Sequence, residues 1–278
     1  MYEDDSIKDL INPFWIGRRI WLYRELIRQL TWREVVTRYK GSFMGLGWAF
    51  IQPLLMLSVY TFVFSVVFKA RWGVQVQETR LSFAMTLFMG IITYNLFAEM
   101  ATVAPGLILS RVNLVKKIVF PLDVLPLVNS LSVAINSLFS LAVLMAGLVI
   151  VNGTIPWTTI FLPMVWLPMG MLSLGFGYFL SSLGVFVRDI NTAVRVVVMI
   201  FFFLTPILYP ITMVPQGFHL FIRLNPIAIF VENARRVVIW GMMPEWKWLA
   251  GASAFSLLFL VLGYIWFMKS KKAFGDVI

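Results

Sequence analysis

The chain contains no cysteine and only one histidine. Disulfides, thiolate metal sites and a cysteine nucleophile are therefore excluded, and His219 alone cannot build a multi-histidine metal cluster. Charge is scarce as well, with Asp, Glu, Lys and Arg making up 13% of 278 residues. No Gly-x-x-x-x-Gly-Lys-Ser/Thr segment occurs, so the chain has no P-loop to cradle the phosphates of ATP. The opening residues, with Glu3, Asp4 and Asp5, lack the basic stretch and short apolar run of a cleavable signal peptide. No internal repeat, low-complexity tract or second soluble domain stands out.

Apolar residues are abundant, at 60% of the chain, which is more than a globule of this length hides in one core. A helix needs about 20 residues to cross a hydrocarbon slab of about 30 Å. Six runs meet that need: Trp48 to Phe68, Leu81 to Leu109, Val124 to Val151, Trp157 to Val187, Thr192 to Tyr209 and Leu249 to Met268. The expected fold is an all-α integral membrane protein with six transmembrane helices. An even number of spans puts both termini on one side. Of the 23 Lys and Arg residues, 16 lie on the side of the termini, which predicts cytoplasmic ends in a multi-pass inner-membrane protein. The formal net charge of +10 is thus a topology signal, and no nucleic-acid partner is expected.

Two further segments stand outside the spans. Residues 14 to 30 carry Phe14, Ile16, Ile20, Trp21, Leu26 and Ile27 among Arg18, Arg19, Arg24, Glu25 and Arg28, an amphipathic pattern at helical spacing. Such a helix suits a membrane surface, where anionic lipid attracts each cation by about 1 kcal/mol. After the fifth span, Pro206, Pro210, Pro215 and Pro226 interrupt two short apolar stretches, Phe218 to Leu224 and Ile227 to Trp240. Neither is long enough to cross, and irregular backbone at membrane depth needs protein or a wet cavity around it. Two short re-entrant helices between spans five and six, at about 211 to 245, are therefore expected, with an ordinary loop and one surface helix as the alternative. Residues 1 to 47 are expected to form a cytoplasmic amphipathic interface segment, able to transmit a push from a partner, ahead of a transmembrane domain over 48 to 278.

Ionisable residues within the spans are too few to assemble an acid, base or metal site, so the chain is expected to be no enzyme. Glu99 and Asp123 sit near inner span ends. Pairing with an edge Lys or Arg is the first reading of Glu99, and a gate or substrate contact is the second.

Three ordered blocks carry a resemblance. The first runs Gln29-Leu30-Thr31-Trp32-Arg33-Glu34-Val35, then Arg38-Tyr39-Lys40-Gly41-Ser42, with Gly45, Trp48, Pro53 and Leu54 following. The second is Asn113-Leu114-Val115-Lys116-Lys117 with Phe120-Pro121, and the third Phe186-Val187-Arg188-Asp189-Ile190 continuing to Leu204-Thr205-Pro206-Ile207 and Tyr209-Pro210. Together they resemble the polysaccharide permeases of the type-2 ABC exporter superfamily, most closely the O-antigen branch. Exporters of teichoic acid or capsular polysaccharide are the alternatives within that resemblance. An ion-coupled secondary transporter or flippase would normally show acidic or histidine relays, and none is evident.

The resemblance implies a channel-forming subunit that binds no cofactor itself and works with two P-loop ATPase subunits, which would hold ATP and Mg. It further implies docking to the ATPase through Thr31, Arg33, Glu34, Arg38, Tyr39 and Lys40. A cytoplasmic gate that meets an undecaprenyl-pyrophosphate-linked polysaccharide would use Arg111, Lys116, Lys117, Glu99 and Arg188. A sugar polymer offers hydroxyls and apolar C–H faces, so a conduit should present aromatic rings with a few polar groups. Candidate linings are Tyr60, Phe64, Phe88, Tyr94, Phe97, Phe201, Phe202, Phe203 and Tyr209, with Asn95, Asn129 and Asn136. Six spans enclose no wide conduit, so a second copy in a two-fold homodimer is expected to complete it.

Overall fold

A computed structural model of the chain describes residues 13–67, 72, 80–115 and 120–277. Every regular element among them is helical. The order is α1 (Pro13–Leu22), α2 (Arg24–Tyr39), α3 (Trp48–Tyr60), α4 (Arg80–Leu107), α5 (Val112–Val115), α6 (Val124–Asn152), α7 (Leu162–Phe186), α8 (Ile190–Leu204), α9 (His219–Leu224), α10 (Pro226–Val238), α11 (Trp246–Ser270) and α12 (Phe274–Val277). The amphipathic segment expected as one helix is divided at Tyr23 between α1 and α2.

Among the described residues, five helical stretches are long and apolar enough to cross a membrane: Gly45–Phe64, Leu81–Leu107, Val124–Asn152, Trp157–Phe186 and Trp246–Ala273. The expected span over 192 to 209 is shorter than its apolar run. Thr205 leaves the helical region at ψ 134°, because Pro206 disfavours helical backbone in the residue before it. Helix α8 therefore has 15 residues, roughly 22 Å of rise. The two stretches beyond it form α9 and α10, separated at Asn225. The Asn225 side chain accepts the backbone N–H of Ile227 at 3.0 Å, and Pro226 stands at the first helical position, so the start of α10 is capped and pre-set.

Helix α4 is the axis of the bundle. It packs against α6, α7, α8 and α10, and 78% of its apolar window is buried against 11% for the stretch containing α3. Its apolar residues lie in one continuous core with those of α7 and α10, whereas Tyr178, Tyr264, Phe267 and Phe274 form a second cluster joining α7 to α11 and α12. Helices α7 and α11 meet backbone to backbone. A Cβ on Gly263 would lie 2.3 Å from the Gly175 carbonyl oxygen, so any larger residue there forces the pair apart. Helices α3 and α8 leave Leu54, Leu55, Met56, Met199, Ile200 and Phe203 exposed. Such faces require lipid or another protein against them.

Candidate functional site

The site begins with how α2 is held. Ile27, Thr31 and Val35 recur every four residues and form its buried stripe, and Ile27 packs with Val124 and Val128 of α6. Two ion pairs then tie α2 to the C-terminal end of α4 and the turn beyond it. Arg38 donates to Glu99 at 2.8 Å, and Arg111 donates to Glu34 at 2.6 Å. Glu99, which the sequence pairs with some edge cation, thus meets Arg38. The Tyr39 hydroxyl donates to Oδ1 of Asn136 at 3.2 Å, a third link, this one to α6. Burial pushes the Tyr39 phenol above its usual range, which keeps it a proton donor.

These links frame a cavity of about 290 Å³ between α3, α4 and α6. Arg38, Tyr39 and Glu99 stand at one end, and Gln52, Asn95, Asn136, Ser137 and Ser140 supply polar walls. Tyr60, Phe88 and Phe202 add rings, with Ile91, Ile92 and Met56 between them. The Asn136 amide nitrogen is buried with no hydrogen-bond partner among the described residues. A buried donor without a partner is costly, so this wall suits a ligand or water that accepts hydrogen bonds. Rings, hydroxyls and amides around an open volume are the surface that a hydroxyl-rich, C–H-faced ligand would meet.

Of the lining residues named from sequence, the cavity gathers Tyr60, Phe88, Phe202, Asn95 and Asn136. Others lie elsewhere. Tyr94 is buried and donates its hydroxyl to the Val198 carbonyl, fastening α8 to α4. Phe97 stands edge-on to Phe176 of α7 at 5.2 Å, and Phe64 packs beside Phe83 at 6.0 Å. Asn129 donates to the Met100 sulfur at 3.1 Å inside the core. Phe201 and Phe203 are exposed on α8, and the Tyr209 hydroxyl donates to the Phe203 carbonyl at 2.9 Å.

The residues named for ATPase docking divide by face. Thr31, Glu34, Arg38 and Tyr39 turn toward the bundle, while Arg33 and Lys40 are exposed beside Trp32 and a fully exposed Phe43. Arg188 is exposed in the turn between α7 and α8. Lys116 and Lys117 lie outside the described residues.

Sequence reasoning missed Arg235. It falls there within the Ile227 to Trp240 stretch without a role of its own, yet it is wholly buried. Its Nε donates to the Thr86 carbonyl at 3.0 Å, and its two terminal nitrogens donate to the Pro206 and Ile207 carbonyls at 2.7 Å each. The available signal was periodicity: Ile227, Val231, Arg235 and Val238 share one stripe of α10, so the charge sits on the apolar face.

Comparison with known proteins gives one family and several relatives. The sequence profile described as ABC-2 type transporter matches residues 25–239. An O-antigen export system permease protein RfbA of Myxococcus xanthus is 28% identical over 264 residues, covering 94% of this chain and 98% of the relative. A protein of the same name from Klebsiella pneumoniae is 26% identical over 256 residues, 91% of this chain and 95% of the relative. The polysialic acid transport protein KpsM of Escherichia coli is 24% identical over 256 residues, 89% and 94% respectively.

Proposed function

This chain belongs to the ABC-2 type transporter family, and from that premise we propose that it is the permease half of an ATP-driven exporter of lipid-linked O-antigen polysaccharide. The observation that carries the reading is the cavity beside α4. Its walls combine Tyr60, Phe88 and Phe202 with Asn95 and Asn136, contacts weak enough for a sugar chain to be released at each step. Relatives named for O-antigen export, which match 91% and 94% of this chain, support that cargo class.

In this reading α8, although short, is the fifth of six spans, and α9 and α10 dip back from the face opposite α2. Both termini are cytoplasmic, in keeping with the excess of Lys and Arg on that side. A second copy covers the exposed faces of α3 and α8 and closes the conduit. Two ATPase subunits dock on the exposed side of α2 and the turn after it, around Arg33, Lys40 and Phe43. An anionic lipid pyrophosphate is met by Arg111, Lys116, Lys117 and Arg188, whose cations suit phosphate oxygens.

The test is deletion of the gene, followed by analysis of surface and intracellular polysaccharide. The expected outcome is loss of surface polymer with accumulation inside. Normal surface polysaccharide with no internal accumulation would overturn the reading. Co-purification of a P-loop ATPase separates an ABC exporter from an ion-coupled transporter. Neutralising Lys116 and Lys117 together should reduce export while expression and topology hold, and unchanged export removes their proposed phosphate contact.

A further inference from the structure

At the end of α4 away from α2, one side chain joins three segments. Arg235 of α10 reaches the Thr86 carbonyl of α4 and the Pro206 and Ile207 carbonyls just past the break that ends α8. Its side chain has no solvent exposure, and the carboxylate of Glu232 stands 3.6 Å away, one turn back on the same helix. The indole of Trp72 lies 4.3 Å from the guanidinium carbon, in cation–π range. Space for the group is made by Gly90 of α4, where an added Cβ would fall 2.3 Å from one terminal nitrogen and 2.9 Å from the central carbon.

A buried cation persists only where its donors are occupied, because an unpaired charge out of water is strongly unfavourable. Here most of the acceptors are backbone. Pro206 and Ile207 lie where the helical ladder has ended, so their carbonyls need donors from outside it. The guanidinium supplies them with its fixed fork, which a lysine cannot reproduce. Withdrawing the guanidinium from this pocket therefore strips the cation and three carbonyls together, whereas moving α10 or the break alone strips part of the set.

We propose that Arg235 is a positioning residue that latches α10 and the end of α8 to α4, and so gates the end of the conduit opposite α2. The latch rests on the conduit reading given above. With the guanidinium seated, α4, α10 and the break move as one body. With it withdrawn, α10 is free to leave α4.

The absence of cysteine makes site-specific labelling direct. Leu81 at the start of α4 and Leu224 just before α10 are exposed and take spin labels as Leu81→Cys and Leu224→Cys in lipid nanodiscs. The double-labelled protein with Arg235 intact should give one narrow distance distribution. Arg235→Met should broaden or shift it, and Arg235→Lys should do so less. Gly90→Ala displaces the guanidinium with a single methyl group, so it serves where Arg235→Met fails to fold, and it should reproduce the broadening. In phosphatidylethanolamine–phosphatidylglycerol vesicles, the two disrupting variants should release trapped carboxyfluorescein at least about tenfold faster, the factor for one charge-assisted hydrogen bond biasing a two-state gate. Unchanged distances in both variants overturn the latch, and broadened distances without leak overturn its gating role. Wild-type protein that fails to restore export in the deletion strain counts against the conduit reading whatever the labels report. Restored export beside variants that keep the wild-type distances and stay tight counts against the latch alone.

Discussion

The two ends of α4 are fastened in opposite ways. At Glu99 the fastener is an ion pair to Arg38 whose side chains are both about one-third exposed, 34% and 35%. At Thr86, roughly 20 Å away along the axis at 1.5 Å per residue, it is a guanidinium with no exposure and three carbonyl acceptors. An exposed pair is screened by water and salt and contributes about 0.2–1 kcal/mol. A buried charge with every acceptor in place exchanges with nothing. The end near α2 can therefore slip and re-form, while the opposite end stays seated or releases in one step. On the proposed reading, in which the chain is an exporter driven from the α2 side, that asymmetry suits a movable entrance and an exit held by the proposed latch.

The comparison can be broken most severely at Arg235. Arg235→Met leaves three buried carbonyls and Glu232 without their cation, and the expected loss is about 3–5 kcal/mol, read as a lowered unfolding midpoint in detergent. A loss no larger than that of an exposed ion pair would remove the distinction between the ends. Gly90→Ala comes next, with about 1–3 kcal/mol expected from overpacking against the guanidinium. Its effect should largely disappear in an Arg235→Met background, because both changes act on one contact.

Smaller effects belong to the α2 end. Tyr39→Phe removes the hydroxyl that Asn136 accepts, for about 0.5–1.5 kcal/mol by the same unfolding measurement. A double-mutant cycle with Arg38→Met and Glu99→Gln should return a coupling of about 0.2–1 kcal/mol that shrinks as salt is added. A coupling above that range and indifferent to salt would show the two ends to be alike.

Much of this was legible in the chain, and the exceptions have physical causes. The long spans announced themselves because about 20 apolar residues in a row have few other uses. Their ends fell close to the observed ones at Val124, which Asp123 precedes, and at Phe186, which Arg188 and Asp189 follow closely. Glu99 was conspicuous as a lone charge near a span end. The aromatic linings were less readable. In a helix apolar all round there is no polar face to orient the rest, so Phe88, which lines the cavity, and Phe97, which packs on α7, look alike in sequence. Arg235 was hidden by company. With Glu232 and Arg236 beside it, α10 resembles a solvated helix, and the acceptors that justify a buried cation are backbone carbonyls 28 and 149 residues away.

The claim that the α4 cavity is the wall of a hydrated conduit is tested most directly by cysteine accessibility in the otherwise cysteine-free chain. Asn95→Cys and Phe97→Cys should be treated with a charged, membrane-impermeant thiosulfonate in cells exporting polysaccharide. The account predicts that Asn95→Cys is modified and export stops, while Phe97→Cys, held against Phe176, stays unmodified. An unreactive cysteine at position 95 in protein that still exports would contradict it.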